Sequence, residues 1–510
     1  MTPLEQDKQY NKGFNDFSSG MVNDPRSERL NTARVISNFD ILTDPKRLIP
    51  YRNSESGDSS ASTSKKQNFC IALRTGTTYS LYSLGVVSGG ALAEVLYKDL
   101  TTGSSNDLDD ATWATPTANQ SSAGTTAIAL FVYYKKTGFI YGARGGSQIW
   151  RFDPAGGAWV DSHQALSYGN IAQGLVHSAD DILYIPYDNV IARNSNGSWN
   201  TTALTLPSHL YITSIWEDGT DLMIACAPLS GVGDSVVFRW NRDVSLTTVT
   251  EGINLGAENV KVADKTDDFN VTISLSSGTT RFTDKVIFRY LLNGKSVKFA
   301  ELIGNSSTQL PIAKQVINNR LYFMASIVLN GTRREGVFSV GRDYINGGFS
   351  IVHERTPNND TALTSGVLND FFFVGDFLFQ SYVDNSAYAV SKTNDQESYI
   401  SQTAILESKI INDGDSSATK KLDTVTVMFE PLPTNGQVVL KYKKDEETSY
   451  TTLYTYTTDN AISHGTGGQE SSSGALPQYK EIQFRIESKG GAVITGFKKR
   501  STVINNGEST

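Results

Sequence analysis

A repeat of about fifty residues dominates the middle of the sequence and limits the folds open to it. Four segments of similar pattern lie at residues 235–240, 285–290, 335–340 and 385–390, each followed by a polar turn. Their aromatic residues, which recur at the same interval, are Phe238, Phe288, Phe338 and Tyr388. A more apolar segment precedes each of them. One repeat therefore contains several antiparallel strands, which predicts a β-propeller blade.

Three earlier segments extend the repeat towards the N-terminus. Residues 148–153 and 189–193 fit the same strand position, and residues 80–85 are the candidate for a first copy. Together the copies predict about seven blades. We therefore expect an all-β fold in which residues 36–396 form a β-propeller together with the strand that leads into it.

The sequence before the repeat divides into three parts. Residues 1–35 are polar with scattered aromatic residues, which is typical of an extended arm that packs on another surface or of a frayed terminus. Residues 36–52, the lead-in segment, contain two prolines and predict an edge strand that closes the ring beside the last blade. Residues 53–66 are rich in Ser and Asp and predict a loop.

The fifty-residue period ends near residue 397. Residues 421–429 alternate between apolar and polar side chains, and an Asn435-Gly436 turn separates them from residues 437–442. This arrangement predicts a β-hairpin. Further strand patterns follow at residues 480–488 and 492–497. We expect residues 397–503 to form a β-sandwich, and residues 504–510 to be a short tail.

Composition limits the class of protein. A hydrophobic fraction of 39% with 19% charged residues is typical of a globular chain. Because no run of roughly 18 apolar residues occurs, we expect no membrane insertion. The first residues lack the basic and apolar regions of a secretory signal, which predicts synthesis in a cytoplasm. A net charge of −8 with dispersed Lys and Arg predicts no sequence-specific binding of nucleic acid.

No motif in the sequence predicts catalytic, cofactor-binding or metal-binding residues. The five histidines are widely separated, and the usual zinc, phosphate-loop and nucleophile motifs do not occur. Acidic pairs at residues 180–181, 217–218 and 267–268 occupy turn positions, where Asp caps the chain. The glycine-rich residues 230–234 are not followed by a helical pattern and predict a hairpin turn. Cys70 and Cys226 lie in apolar strands and predict buried thiols. We expect no enzymatic activity and no cofactor.

Two further sequence patterns are compatible with the binding of a ligand. Residues 106–110 form an acidic cluster compatible with Ca²⁺, but the glycine and distal glutamate of an EF-hand loop do not occur, which favours a surface loop. The many aromatic residues are compatible with carbohydrate binding. Because they lie inside strands at the repeat spacing, packing between blades is favoured. The residues in question are Trp150, Phe238, Trp240, Phe288 and Tyr290.

Part of the second blade resembles a kelch repeat. It contains Gly145-Gly146, then residues 149–153 and Trp159, and residues 194–199 are a degenerate second copy. The later blades lack the paired glycines. The resemblance therefore implies a propeller that is kelch-like in places.

The order of the larger features resembles a family of tailed-bacteriophage virion proteins. The likeness lies in residues 38–40 and 45–52 of the lead-in segment, in the Pro-Leu-Pro turn and strand at 431–438, and in residues 481–488. It implies a protein of the tail or of its connection to the capsid, present in several copies per particle. The implied partners are other phage virion proteins.

Two functions from different classes follow. The first is a structural component of the virion that acts through protein–protein contacts, made by the arm and the sandwich. The alternative is a receptor-binding module that recognises a host surface glycan or protein. The sequence has no coiled-coil or β-helical pattern, which disfavours an ordinary fibre. In either case the expected location is the virion, after synthesis in the host cytoplasm.

Overall fold

The structure is a computed structural model of the 510-residue chain. It describes residues 9–14, 21, 33–41, 46–52, 54–57, 64–87, 93–101, 106–110, 112–116, 120–121, 130–144, 148–167, 171–231, 233–245, 249, 251–266, 269–276, 285–303, 308–329, 331–342, 349–357, 363, 366–384, 387–393, 403–458, 464–467 and 476–504. The all-β fold class is confirmed, because these residues contain strands and no helix. Consequently the described chain has no helix that would be long and apolar enough to cross a membrane.

Forty strands follow one another along the described chain. The first twenty are β1 Gln9–Phe14, β2 Val35–Ser37, β3 Phe39–Asp40, β4 Ile49–Pro50, β5 Ser54–Ser56, β6 Ser64–Thr75, β7 Thr78–Val87, β8 Ala93–Asp99, β9 Gln120–Ser121, β10 Phe131–Tyr134, β11 Phe139–Arg144, β12 Gln148–Asp153, β13 Ala158–Ala165, β14 Leu175–His177, β15 Ile182–Tyr187, β16 Val190–Ser195, β17 Ser198–Thr205, β18 Leu210–Asp218, β19 Asp221–Pro228 and β20 Ser235–Trp240. The others are β21 Glu251–Gly256, β22 Glu258–Thr266, β23 Phe269–Ser276, β24 Lys285–Leu292, β25 Lys295–Ile303, β26 Lys314–Ile317, β27 Arg320–Leu329, β28 Thr332–Arg342, β29 Phe349–Arg355, β30 Val367–Val374, β31 Phe377–Asp384, β32 Ala387–Thr393, β33 Ala404–Glu407, β34 Lys420–Phe429, β35 Gln437–Lys444, β36 Thr451–Tyr456, β37 His464–Gly467, β38 Gln478–Tyr479, β39 Ile482–Lys489 and β40 Ile494–Val503.

The chain divides into two compact units. Unit 1 consists of residues 1–53, 338–360 and 396–510, and unit 2 consists of residues 54–337 and 361–395. Unit 1 is therefore assembled from three separate stretches of sequence. Unit 2 holds most of the repeat.

Six antiparallel sheets of four strands make up most of unit 2. Their strand orders are β6-β7-β8-β9, β10-β11-β12-β13, β14-β15-β16-β17, β18-β19-β20-β21, β22-β23-β24-β25 and β30-β31-β32-β5. Five of these sheets follow chain order. The last one takes its fourth strand, β5, from the beginning of the unit, with Ser56 opposite Ser391. Between β25 and β30 the chain forms the β26–β27 hairpin.

The predicted repeat segments correspond to equivalent strands, with one exception. Five of them lie in the third strands of four-stranded sheets, namely β12, β16, β20, β24 and β32. A sixth, residues 335–340, lies in β28, which follows β26 and β27 in the strand order of its sheet. The candidate first copy, residues 80–85, is wrong because it lies in β7, the second strand of its sheet. The third strand of that sheet is β8. Both strands contain apolar residues and tyrosine, with Tyr82 opposite Tyr97, so composition alone does not distinguish them.

Hydrogen bonds in which a side chain is the donor or the acceptor join each part of unit 2 to the next along the chain. Taken in order, they run from Tyr82 Oη to Pro154 O (3.2 Å), Tyr134 Oη to Asp181 O (2.8 Å), Ser178 N to Glu217 Oε1 (2.7 Å), Ser214 Oγ to Ala263 O (2.9 Å), Lys314 Nζ to Ala263 O (2.7 Å), Phe373 N to Gln315 Oε1 (2.9 Å) and Phe69 N to Asp370 Oδ2 (3.0 Å). The last of these hydrogen bonds connects Phe69 of the first sheet with Asp370 of the last sheet.

Buried hydrophobic clusters lie between consecutive sheets of unit 2. Tyr82 of the first sheet and Trp150 of the second belong to one such cluster. Phe69 of the first sheet and Phe379 of the last belong to another, with ring centroids 6.3 Å apart. The core of unit 2 is thus distributed between its sheets, as expected when each sheet buries both faces against neighbours.

Unit 1 contains two groups of paired strands. One has the order β29-β2-β33-β39-β35-β36, and the other has the order β1-β40-β34-β37, with β38 also paired to β34. Aromatic rings from the two groups meet in its core. The centroids of Phe484 and Phe497 are 4.9 Å apart, and those of Phe429 and Tyr456 are 5.5 Å apart.

The predicted hairpin between residues 421–429 and 437–442 is wrong. β34 pairs with β37, β38 and β40, whereas β35 pairs with β36 and β39. The turn itself forms, with Asn435 at a φ of 65° and Gly436 N donating to Pro433 O over 2.7 Å. The two prolines of this connection lack an N–H group and cannot extend a ladder. The connection therefore carries the chain from one group of strands to the other.

The lead-in segment does not join the last sheet of unit 2. Its described residues pair within unit 1, where β3 pairs with β4, and β2 lies between β29 and β33. Strand β5, from the stretch predicted as a loop, takes the place beside β32. Prolines of the lead-in segment exclude long ladders there, whereas the Ser-Glu-Ser sequence of β5 leaves every backbone donor available.

Part of the predicted N-terminal arm is also paired within unit 1. β1 runs antiparallel to β40 over six residue pairs, from Gln9 opposite Thr502 to Phe14 opposite Phe497. Met21 N donates to Ile351 O over 2.9 Å, and the Met21 side chain is buried. Of the other apolar residues of the arm, Phe17 and Val22 lie outside the described residues.

Candidate functional site

The acidic turns that the sequence singles out lie at the ends of neighbouring sheets in unit 2. Asp180 accepts hydrogen bonds from Arg242 and, over 2.9 Å, from Tyr184 Oη. Asp218 accepts from Lys265 Nζ at 2.6 Å and from Asn270 Nδ2 at 3.1 Å. Burial opposes ionisation of Asp218, but these hydrogen bonds hold its pKa below the ordinary value.

These carboxylates therefore link sheets and do not converge on a shared position. Glu217 accepts hydrogen bonds from the backbone and hydroxyl of Ser178 in the preceding sheet. The pair at residues 267–268 lies outside the described residues. Within the described ranges, no group of three or more His, Cys, Asp or Glu residues is arranged to hold a metal ion. The arrangement is that of inter-sheet cross-links.

The acidic cluster at residues 106–110 surrounds a lysine ammonium group. Lys98 is fully buried, and its Nζ donates to the carbonyl oxygens of Asp107 (3.2 Å), Thr112 (3.0 Å) and Asp110. The Lys98 Nζ also lies 5.2 Å from the ring centroid of Trp113. A bound cation would use such carbonyl oxygens as ligands. Here the ammonium of Lys98 supplies the positive charge, and the loop is held by the chain itself.

A second buried lysine ties the same loop to the last sheet. Lys392, which is 1% exposed, donates to Asp109 O and forms an ion pair with Glu55 at 2.9 Å. Glu55 belongs to β5, so the ion pair also fixes the strand that completes this sheet. Lys98 and Lys392 together explain why an acidic loop is ordered without the EF-hand sequence.

Most of the singled-out aromatic residues are buried between sheets. Trp150, Trp240 and Phe288 are 0% exposed, whereas Phe238 and Tyr290 are half-buried. The Phe288 ring contacts Phe323 across the gap to the β26–β27 hairpin, at a centroid distance of 5.8 Å. Fully buried rings cannot present a flat face to a sugar. Packing between sheets, which the repeat spacing favours, accounts for them.

The kelch-like residues also pack against each other. The ring centroids of Trp150 and Trp159 are 4.7 Å apart, and those of Tyr141 and Trp199 are 5.9 Å apart. Trp159 and Trp199 lie on the outer strands β13 and β17 and are half-buried. Gly145-Gly146 lies outside the described residues. These outer tryptophans are the aromatic residues of this pattern that reach the surface.

The remaining candidates have structural environments. Cys70 and Cys226 are free buried thiols, as predicted, and burial raises the pKa of both. His177 is buried, with its Nε2 3.2 Å from Asp221 O and its Nδ1 accepting from Ala179 N over 3.2 Å. His353 Nδ1 and Ser37 Oγ form a hydrogen bond of 2.7 Å in unit 1.

A buried carboxylate that no sequence motif indicates lies between the last and first sheets of unit 2. Asp370 is 7% exposed. Its Oδ2 accepts from Phe69 N at 3.0 Å and from Asn68 Nδ2 at 3.5 Å, and its Oδ1 accepts from Phe371 N at 2.9 Å. Burial raises the pKa of Asp370 to about 7, although these hydrogen bonds oppose the shift. The carboxylate thus joins both ends of the repeat and titrates near neutrality.

Asp370 predicts that stability falls as the pH rises. Its pKa is higher in the folded chain (about 7) than the ordinary 3.8, so the folded state binds the proton more tightly. The unfolding free energy contributed by this group is greatest below about pH 4 and declines by up to about 1.4 kcal/mol per pH unit until about pH 7. Urea denaturation of the wild type and of Asp370→Asn from pH 4 to 8 measures the difference. Parallel pH profiles for the two proteins would contradict the assignment.

Open strand edges in unit 1 are the candidate interaction surface. β36 pairs with β35 on one side, and β37 pairs with β34 on one side. Among the described residues neither has a strand partner on its other side. An edge strand presents unpaired N–H and C=O groups to which another chain can add a strand. The exposed residues of β36, Thr451 and Thr455, leave this edge accessible.

Comparison with known proteins does not assign the chain to a family. No protein-family model matches the sequence. A comparison with curated proteins likewise finds no match.

Proposed function

We propose that the repeat forms a β-propeller of seven blades, kelch-like in places, and that the strands of unit 1 form a β-sandwich. The six four-stranded sheets, with a seventh blade built on the β26–β27 hairpin, support the blade count. Support for closure comes from the hydrogen bonds that return from the last sheet to the first, and from β5, which completes the last blade. The inter-group ring contacts of unit 1 support the sandwich.

We propose that the protein is a structural component of a tailed-bacteriophage virion, in the tail or its attachment to the capsid. The observation that carries this proposal is the pair of open strand edges, β36 and β37, in unit 1. The charged groups singled out in unit 2 are engaged in links between its own sheets. Such edges suit contacts with neighbouring virion proteins, in several copies per particle. The protein acts through these contacts and without catalysis.

Labelling of intact particles tests this function. An antibody against the purified protein would be applied to particles of the phage whose genome encodes the sequence, and the gold label located by electron microscopy. The expected result is label at the tail or at its junction with the capsid, together with the protein's peptides in a digest of purified particles. Finding the protein in the infected cell but not in the particles would overturn the proposal.

A receptor-binding module is the second candidate. It is favoured by Trp159 and Trp199, whose rings are half-buried on outer strands. Glycan binding commonly uses such rings for stacking. A glycan array probed with the purified protein and with Trp159→Ala distinguishes the candidates. Binding to a defined glycan that is lost in the variant would favour the receptor function.

A further inference from the structure

The N-terminal strand β1 occupies the outer edge of β40. The ladder is antiparallel and continuous over six pairs, and it includes Asn11 opposite Arg500. On its other side β40 pairs with β34, where Arg500 lies opposite Thr424. β40 therefore has one partner from the middle of unit 1 and one from the beginning of the chain.

The two strands that pair with β40 differ in how readily they can separate from it. β34 is also paired with β37 and β38. β1 pairs with β40 alone among the described strands. A strand held by a single ladder can separate by local opening, while the rest of the unit stays folded. After such opening, β40 presents six residues of unpaired backbone.

A second copy of the chain is the partner that restores every lost pair. Its own β1 has the same sequence and the same register, so exchange of β1 between copies replaces one ladder with an identical one. Binding of an unrelated strand would have to match both the backbone and the flanking side chains. The exchange therefore costs little free energy beyond the loss of independent motion of two chains.

The length of the chain permits such exchange. Met21 is held in unit 1 by its hydrogen bond to Ile351 O. Between Phe14 and Met21, seven Cα–Cα steps can span at most about 25 Å. A β40 edge of a neighbouring copy within that distance of Met21 can be reached without displacing the Met21 anchor.

We propose that β1 is exchanged between neighbouring copies of this chain, so that each copy completes the sheet of the next. The proposal rests on the proposed structural function, because it names the contact through which copies join. It makes β40 the acceptor and β1 the donor of a strand-addition interface. The interface is satisfied within one chain when the protein is dilute, and between chains when copies are close.

Cysteine pairs placed across the ladder test the exchange. Asn11→Cys and Arg500→Cys are made in separate proteins, which are mixed at high concentration and oxidised in a glutathione buffer. Opposite positions of an antiparallel ladder lie within the range that a disulfide can join. The expected product is a disulfide-linked dimer containing one chain of each variant. Its yield should rise with concentration and should exceed that of the control on the order of tenfold, because exchange holds the two cysteines together.

The matched control uses the other neighbour of Arg500. A mixture of Thr424→Cys and Arg500→Cys tests a pair of positions that is not exchanged between chains. Two double variants, each with both cysteines of a pair in one chain, measure how readily each pair forms a disulfide. The native cysteines are buried and contribute little background. A dimer yield no higher than in the Thr424 control, with the Asn11 double variant closing within one chain, would overturn the exchange. Failure of that double variant to close would overturn the β1–β40 pairing itself.

The outcome is independent of the particle-labelling experiment. A protein that is found in the tail but shows no exchange would keep its proposed function and lose this interface. A protein that exchanges β1 but is absent from particles would keep the interface and lose the virion function.

Discussion

Replacement of Lys499 by methionine is expected to lower the unfolding free energy by about 3–5 kcal/mol. Lys499 is 2% exposed, and its side chain is fully buried against the side chain of Asp413. Its Nζ also donates to Tyr479 Oη at 2.8 Å and to Ser501 Oγ at 3.0 Å. Removing the ammonium leaves the Asp413 carboxylate buried, with Tyr479 Oη and Ser501 Oγ as its remaining hydrogen-bond donors. Urea denaturation followed by far-ultraviolet circular dichroism measures the loss.

The next residue on β40 supplies the control. Arg500 is exposed, and its Nε lies 4.0 Å from Asp423, so Arg500→Met should change the unfolding free energy by less than about 0.5 kcal/mol. A double variant, Lys499→Met with Asp413→Leu, should recover most of the lost stability, because it removes both buried charges. Equal effects of the Lys499 and Arg500 substitutions would refute the importance of the buried pair.

Truncation of Phe288 to alanine is expected to cost about 3–5 kcal/mol, as for other buried phenylalanines. Its ring is 0% exposed, and it lies 6.1 Å from the ring centroid of Phe299 and 5.8 Å from that of Phe323. The substitution therefore opens a cavity between neighbouring parts of unit 2. All six tryptophans of the chain lie in unit 2, so their fluorescence during urea denaturation reports on this unit.

Val297, on the neighbouring strand β25, is the control for this cavity. It is 38% exposed, so Val297→Ala should cost less than about 1 kcal/mol. A loss of similar size at Phe288 would mean that the ring contributes no inter-sheet packing. In that case a role for the aromatic repeat at the surface would regain support.

The repeat could be predicted from the sequence because its strands obey a local rule. Phe238 and Phe288 each occupy the third strand of a sheet, and the interval between them is fixed by the need to present the same faces to each neighbour. This rule does not distinguish the second strand of a sheet from the third, because the apolar patterns of the two strands are similar. The failure at residues 80–85 has this origin.

The assembly of unit 1 could not be predicted in the same way. Its strands come from residues 1–53, 338–360 and 396–510, and pairing between such distant segments leaves no periodic signal in either of them. The turn at Asn435-Gly436 was recognised from its residues, but whether the following strand returns to the same sheet depends on tertiary packing. The local sequence predicts that the chain turns here, but it does not predict with which strand the next segment pairs.

The buried charged residues were missed for a related reason. Lys98, Asp370 and Lys499 lie on strands β8, β30 and β40, and a single charged residue in a strand is usually assigned to the solvent face. In β40 the alternation places Lys499 between Phe497 and Ser501 on the buried face. A lysine at an inward position of an alternating strand was therefore the available signal. Its partner, Asp413, is too far away in sequence to be identified from the pattern.

Closure of the last sheet by β5 has a consequence for synthesis of the protein. The ribosome makes β5 early, but its partner β32 follows roughly 330 residues later. At about 5–20 residues per second, β5 waits on the order of 15–70 s for a partner. During this time the growing chain exposes unpaired strand edges, which are prone to aggregate. Nascent chains that stop before β32 should therefore depend on chaperones, and slower production at low temperature should favour complete molecules over aggregates.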